Sequence, residues 1–460
     1  MPYGCRRAID RQHSFCHGSD LREQRRTPYE SFRTTGHHMN ENRSQDVRES
    51  LAAPLTLRSG PTLANRLAKA ATSEHLADPH GAPTNQLVTA YRTLAQSGAG
   101  LLISGNVMVD GSSLEGPRNV VIEDDSHNEE LRRWAASTEG TEAKLILQLS
   151  HPGRQTMRGN VLPGRRQDVV GPSSVPLTVG GSGFFRPPRA LSDTEITVII
   201  GRFARAAQVA ADTGFHGVEI HAAHGYLFNQ FLSPLVNQRT DRWGGSLENR
   251  MRLLVETVRA IRAATPDQFL VAVKLNSADF QRGGFDSDDS LIVARALAKE
   301  GIDFLEISGG TYESAAMVTG TPQRESTRAR EAYFLEFAER FAQEVSVPLM
   351  LTGGFRTRKS MNEALDSGAV DIVGLARPIT YEPDLPRRLL DASADKSLVV
   401  PKALGHKTTD DLLNSAWHQQ QIARMGRGRP VRPSRSPAAA LVIAALTTAR
   451  DLLLPWLAPR

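Results

Sequence analysis

His221-Ala222-Ala223-His224-Gly225-Tyr226 sets two imidazoles three residues apart and a phenol two beyond the second, directly after the apolar run Gly217–Ile220. At the end of a strand such a triplet can converge on one pocket. The imidazoles would serve as hydrogen-bond donors or bases and the phenol as a proton donor. Two plainer readings stand beside this one: a buried hydrogen-bonded pair, and half of a metal site. A metal needs a third ligand, and no His, Asp or Glu stands at a fixed spacing to supply it.

Other residues carry weaker signals of the same kind. Lys274 lies inside Val271-Ala272-Val273-Lys274-Leu275, where a charge is costly unless it meets a counter-charge or a ligand. Gln148 ends a run and precedes Ser150-His151-Pro152-Gly153-Arg154. Gly353-Gly354 and Gly374-Leu375-Ala376-Arg377-Pro378 each follow an apolar run. Their glycines are either plain turn formers or backbone N–H cradles for a phosphate, with Arg377 as a charged clamp. The polar stretch Asn237–Arg250 reads as a rigid loop pinned by side-chain hydrogen bonds, with Ser246 capping the next helix.

These residues need a frame, and the apolar runs supply one. Arg66–Ala71, Gly100–Ser104, Ala143–Leu149, Gly217–Ile220, Phe269–Leu275, Phe304–Ile307, Pro348–Leu351 and Ile372–Gly374 are short enough for buried strands. Helical periodicity fills the gaps at Asn85–Ser97, Glu129–Thr138, Ser192–Asp212, Leu247–Ala263, Ser287–Lys299, Arg330–Glu344 and Lys359–Asp366, and the chain after Tyr381 supplies an eighth helix. Eight strand–helix units predict an α/β fold, a single (β/α)8 TIM barrel, over a doubly wound sheet. The two long connections, residues 150–191 and 221–245, both follow strand C-termini, the face where barrel enzymes place their chemistry.

The 460-residue chain is 40% apolar and 23% charged, enough to bury a large core. Its net charge of +5 sits in the tails: residues 1–38 hold seven Arg against four acids, and residues 421–460 hold seven Arg against Asp451. The intervening body is at −4, so the basic balance is no argument for nucleic acid. Cys5 and Cys16 are the only cysteines, which excludes a disulfide scaffold, a cysteine-held cluster or a zinc ribbon in the body. The longest apolar stretch, Ala438–Leu446, falls short of a membrane span, and no secretory signal opens the chain, so a cytoplasmic protein is expected.

Three segments result: a disordered basic extension over 1–50, a barrel over 51–425, and a linker with a short helix over 426–460. A chain begun at Met39 is expected to keep the barrel intact. In the last segment Leu441, Ala445, Thr448, Leu452 and Trp456 follow helical steps, a pattern for docking on protein.

Taken together, the motifs resemble the old yellow enzyme family of flavin-dependent ene-reductases and NADH:flavin oxidoreductases. The resemblance covers roughly residues 52–425 and is most specific over His221–Arg250, with Gln148–Arg154, Lys274–Gly284, Leu351–Gly354 and Gly374–Pro378 in the expected order. It implies a barrel holding FMN non-covalently, with NAD(P)H as hydride donor and an activated alkene as small-molecule substrate. By the same resemblance Ala71, Thr72, Ser73 and Gly105 line the flavin, and Gln148 bonds its pyrimidine edge. Lys274 lies near its N1 and O2, while Gly353, Gly354, Ala376 and Arg377 hold its phosphate. His221 and His224 anchor the substrate's oxygen, and Tyr226 donates a proton.

The chain departs from some relatives. Ser73 stands where certain members carry a cysteine, and no cysteine cluster follows the barrel as in the dienoyl-CoA reductase and trimethylamine dehydrogenase subgroups. Two rival readings are a metal-dependent barrel lyase or hydrolase built on His221 and His224, and a catalytically silent barrel acting as an interaction protein. The first lacks a third ligand and leaves Gln148 and the glycine loops unexplained. The second leaves both imidazoles, Tyr226 and Lys274 without a role. Substrate identity, NADH or NADPH preference and homo-oligomerisation stay open.

Overall fold

The computed structural model describes residues 50–177, 185–309, 335–398 and 407–433, with isolated positions between 436 and 446. The basic extension up to residue 49 and the tail positions Leu441, Ala445, Thr448, Leu452 and Trp456 lie outside the described residues.

Eight parallel strands close on themselves: β1 (Leu67–Lys69), β2 (Leu101–Met108), β3 (Lys144–Ser150), β4 (Gly217–Ala222), β5 (Leu270–Asn276), β6 (Phe304–Ser308), β7 (Leu349–Thr352) and β8 (Ile372–Leu375). Each pairs with the next in order, and β8 returns to β1 through Gly374 opposite Ala68. Helices alternate with them: α1 (Asn85–Ala95), α2 (Asn128–Ala135), α3 (Asp193–Asp212), α4 (Leu247–Ala264), α5 (Ser287–Lys299), α6 (Leu335–Ala342), α7 (Arg358–Asp366) and, after β8 and two short turns of helix, α8 (Lys407–Gly426). This is the (β/α)8 barrel expected from the sequence. The start of the predicted helix at residues 330–334 lies outside the described residues.

The strands form where apolar runs are buried on both faces, as a parallel sheet wrapped by helices requires. Outward residues such as Val218, Ile220, Leu305 and Ile307 join the core shared with the helices, while Ala68, Ala272, Phe304, Met350 and Ile372 fill the barrel's interior. A two-strand hairpin, Leu55–Thr56 with Thr62–Leu63, closes the N-terminal mouth by adding Leu57 and Leu63 to that interior. The other mouth remains polar, and there the long connections gather.

The loop after β4 is held as its composition predicted. Asn237 donates through Nδ2 to the carbonyls of Phe231 and Trp243, both at 2.8 Å. Gln230 donates to the carbonyls of Pro152 at 2.9 Å and Gly225 at 2.7 Å, tying this loop to the one after β3. Ser246 caps α4 by accepting from the Asn249 N–H.

Candidate active site

Strand alternation decides what reaches the open mouth. Above the apolar filling, the inward positions Gln148, Glu219, Lys274, Glu306 and Thr352 form a polar layer across β3 to β7. His221, Asn276 and Ser308 form the layer above it. Register sets the neighbours: Gln148 stands opposite Glu219, Lys274 opposite both His221 and Glu306, and Thr352 opposite Gly374. Gly374 cannot be larger, since a Cβ there would lie 1.9 Å from Thr352 Oγ1.

His221, His224 and Tyr226 do meet. The His221 ring lies 5.1 Å from that of His224 and 4.5 Å from that of Tyr226, both edge-on. His224 adopts a left-handed backbone at φ 60°, costly for a residue with a Cβ. It is held there by Asn276 Oδ1, which accepts its N–H at 3.1 Å, and by Ser308 Oγ, 2.7 Å from its Nε2. Ala223 donates its N–H to His221 Nδ1 at 3.4 Å, leaving Nε2 as the protonated nitrogen of the neutral ring.

Both rings are neutral at physiological pH. Burial pushes His221 well down, with the charges of His224 and Lys274 adding. Burial and then Lys274 bring His224 to about 3. On α8, burial and then Lys69 bring His418 to about 3 as well.

This has a consequence for stability. Between pH 6.5 and about 3 the unfolded chain binds protons on these imidazoles that the folded chain does not, so stability falls as pH falls. His216, lowered by burial, adds to them, as do the depressed carboxyls of Asp110, Glu115 and Glu306 toward the acid end. His75, raised by Glu115 against its own burial, and the acids Glu219 and Asp279, raised by burial, work in the opposite direction. We expect the urea midpoint to decline steadily from pH 6.5 to 4.5, at up to about 1.4 kcal/mol per pH unit for each ring that stays neutral. A midpoint constant over that range would contradict buried neutral imidazoles.

The residues expected to hold a flavin surround the same mouth. Ala71, Thr72 and Ser73 follow β1, where Thr72 Oγ1 is buried without a partner among the described residues. Gly105 lies in a bulge of β2, where its N–H donates to Glu74 Oε1 at 2.8 Å. A Cβ at Gly105 would fall 2.2 Å from Glu74 and 2.5 Å from the Thr72 carbonyl. The adjacent Asn106 Oδ1 is a second buried acceptor without a donor among the described residues. Gly353, at φ 140°, and Gly354, at φ 83°, line one cavity with Arg356, Gly374, Ala376 and Arg377. No carboxylate lies within ion-pair distance of the exposed Arg377 among the described residues. Orphaned acceptors, a glycine-lined cradle and an uncompensated cation fit a bound nucleotide with a phosphate.

Two features went unread in the sequence. Lys274 donates to Glu306 at 2.8 Å, so its counter-charge is a strand neighbour. Gln148 donates through Nε2 to Glu219 at 2.6 Å. Glu219 and Glu306 each interrupt an apolar run just as Lys274 does, which is the signal that could have found them. The rival metal reading gains no ligand: among the described residues no three His, Cys, Asp or Glu side chains gather as a metal site would need. Nor is any helix among them long and apolar enough to cross a membrane.

Comparison with known proteins agrees with this geometry. Residues 50–396 match the model of the NADH:flavin oxidoreductase / NADH oxidase family. The NADH-dependent flavin oxidoreductase iliE of Hypocrea jecorina (strain QM6a) is 38% identical over 374 residues, covering 76% of this chain and 92% of the relative. Its namesake from Neonectria sp. (strain DH2) is 35% identical over 456 residues, or 88% of this chain and 59% of that longer protein. The solved old yellow enzyme homologue from Zymomonas mobilis superposes with a TM-score of 0.64 at 27% identity, over 76% of this chain and 95% of that one. A barrel with this polar mouth and this match over most of its length belongs to the NADH:flavin oxidoreductase / NADH oxidase family, as a flavoprotein of the old yellow enzyme type.

Proposed function

We propose that this protein reduces activated C=C bonds, such as those of α,β-unsaturated carbonyl compounds, with electrons from NAD(P)H. The observation that carries the proposal is the convergence of two neutral imidazoles and a phenol at the barrel's C-terminal mouth. Such a trio suits a substrate with a polarisable oxygen and a carbon that must be protonated. A neutral imidazole N–H donates a hydrogen bond without giving up its proton.

When bound at this mouth, FMN would supply the redox chemistry, hydride transfer from NAD(P)H to an activated alkene. The protein's own residues bind and orient. Gly353, Gly354, Ala376 and Arg377 would hold the phosphate through backbone N–H groups and one guanidinium. Ala71, Thr72, Ser73 and Gly105 would line the ring system, with Gln148 and Lys274 toward its pyrimidine edge. His221 and His224 polarise the substrate's oxygen, so that charge developing there meets preorganised donors. Tyr226 then gives its hydroxyl proton to the α-carbon. We place the enzyme in the cytoplasm, in keeping with a body that lacks cysteine.

Purified protein should be yellow and release about one FMN on denaturation, and a panel of enones, maleimides and nitroalkenes should include substrates. Colourless protein carrying bound metal would reject the proposal. In Arg377→Ala the phosphate loses a charge-assisted contact worth about 1.5–3 kcal/mol, so FMN should bind roughly 10- to 150-fold more weakly. Unchanged FMN affinity by fluorescence titration would place the phosphate elsewhere.

A further inference from the structure

Two carboxyl groups in the barrel interior have no part in the reaction just described. Glu219 on β4 and Glu306 on β6 are completely shielded from solvent. Both point inward, since their chain neighbours Val218, Ile220, Leu305 and Ile307 face the outer core. Between them runs β5, whose Lys274 donates to Glu306 Oε1 at 2.8 Å, while Gln148 donates to Glu219 Oε2 at 2.6 Å.

Each carboxyl keeps a second oxygen, Glu219 Oε1 and Glu306 Oε2, that is buried and meets no N–H donor. The two carboxyls face each other. Two bare carboxylate oxygens repel, and they can satisfy one another only if one carries a proton. Burial pushes Glu219 up and the charge of Glu306 pushes it further. On Glu306 burial, the largest effect, is outweighed by Lys274 together with hydrogen bonds from Glu219 and the Thr352 hydroxyl, which hold it down. The proton therefore sits on Glu219. With Glu306 ionised against Lys274, the layer is electrically neutral.

The other groups around the pair leave that balance standing. Gln148 on β3 and Thr352 on β7 carry no charge, and His221, one inward position above Glu219, is neutral. Behind β1, buried Lys69 is compensated by Glu74, 3.9 Å away. A neutral layer cannot stabilise new negative charge at the mouth, because Glu306 cancels the ammonium that would do so.

Resting on the reading that the flavin's pyrimidine edge lies against Gln148 and Lys274, we infer that Glu219 and Glu306 are a proton-accepting pair that takes one proton from solvent when the flavin is reduced. The hydride brings two electrons and one proton. The further proton goes from solvent to Glu306, so both carboxyls end as neutral acids and Lys274 is released to face the new charge. Glu219 and Glu306 thus act through Lys274 as positioning residues.

Redox titration of the FMN-loaded protein against pH tests this. With two protons taken up, the reduction equilibrium of the wild type should change about 100-fold per pH unit, or roughly 60 mV for this two-electron couple. In Glu219→Gln the new amide donates to Glu306 and keeps it charged. The dependence should then drop to about tenfold per pH unit, roughly 30 mV. The reduced-minus-oxidised infrared difference spectrum of the wild type should show a gain in protonated carboxyl that the variant lacks. Equal slopes in the two proteins would overturn the inference. So would a wild-type infrared spectrum with no carboxyl gain, whether or not the variant folds. Wild-type protein that binds no flavin would instead overturn the reading of the site on which the inference rests.

Discussion

Removing both imidazoles, as His221→Ala with His224→Ala, is expected to cut the rate of alkene reduction by at least about 10²-fold while FMN stays bound. The size follows from preorganisation. The His224 N–H to Asn276 and ring to Ser308, together with the Ala223 N–H to His221 Nδ1, fix both rings before any substrate arrives. Burial and Lys274 keep them neutral, so their N–H donors are ready without the cost of desolvating a cation. Phenols that stack on the flavin use the same donors and should bind more weakly in the variant, as titration of the flavin absorbance would report. Normal alkene reduction in the double variant would remove the proposed anchor.

Tyr226→Phe should separate the two halves of the catalytic cycle. The phenol is buried against His221, with ring centroids 4.5 Å apart, and its proposed task comes only after hydride has begun to move to the substrate. Loss of a positioned general acid costs about 10²- to 10⁴-fold in the step that needs its proton. Stopped-flow absorbance should therefore show slow reoxidation of the flavin by alkene and nearly unchanged reduction by NAD(P)H. Equal slowing of both halves would make Tyr226 a wall of the pocket instead of a proton donor.

The proposed catalytic trio was legible before any coordinates because His221, His224 and Tyr226 lie within six residues of one strand end. Their shared pocket needs little more than local geometry. The strands were legible for a related reason: a parallel strand buried on both faces reads as an unbroken apolar run, as in Leu145–Leu147 or Leu270–Val273. Helix α4 showed its start in Ser246, which caps it in the structure by accepting from the Asn249 N–H. Lys274 stood out as a charge inside such a run.

Its partner did not. Glu306 lies 32 residues downstream, and Gln148 and Glu219 are 71 residues apart, yet each pair stands side by side on adjacent strands. The direction of Lys69 was equally hidden. It looks like Lys274 in sequence, but it points out of the barrel toward Tyr91 on α1, with its Nζ on the carbonyls of Ala70 and Ile103.

By itself, then, the sequence determined the order of elements, the barrel class and the residues proposed for the reacting end, because periodicity, capping and strand-end position act over a few neighbouring residues. Only the tertiary structure decided which ionisable groups face one another inside the barrel and which charges cancel. Those outcomes depend on the inter-strand register and on the in–out phase of each strand, which barrel closure sets across distant parts of the chain.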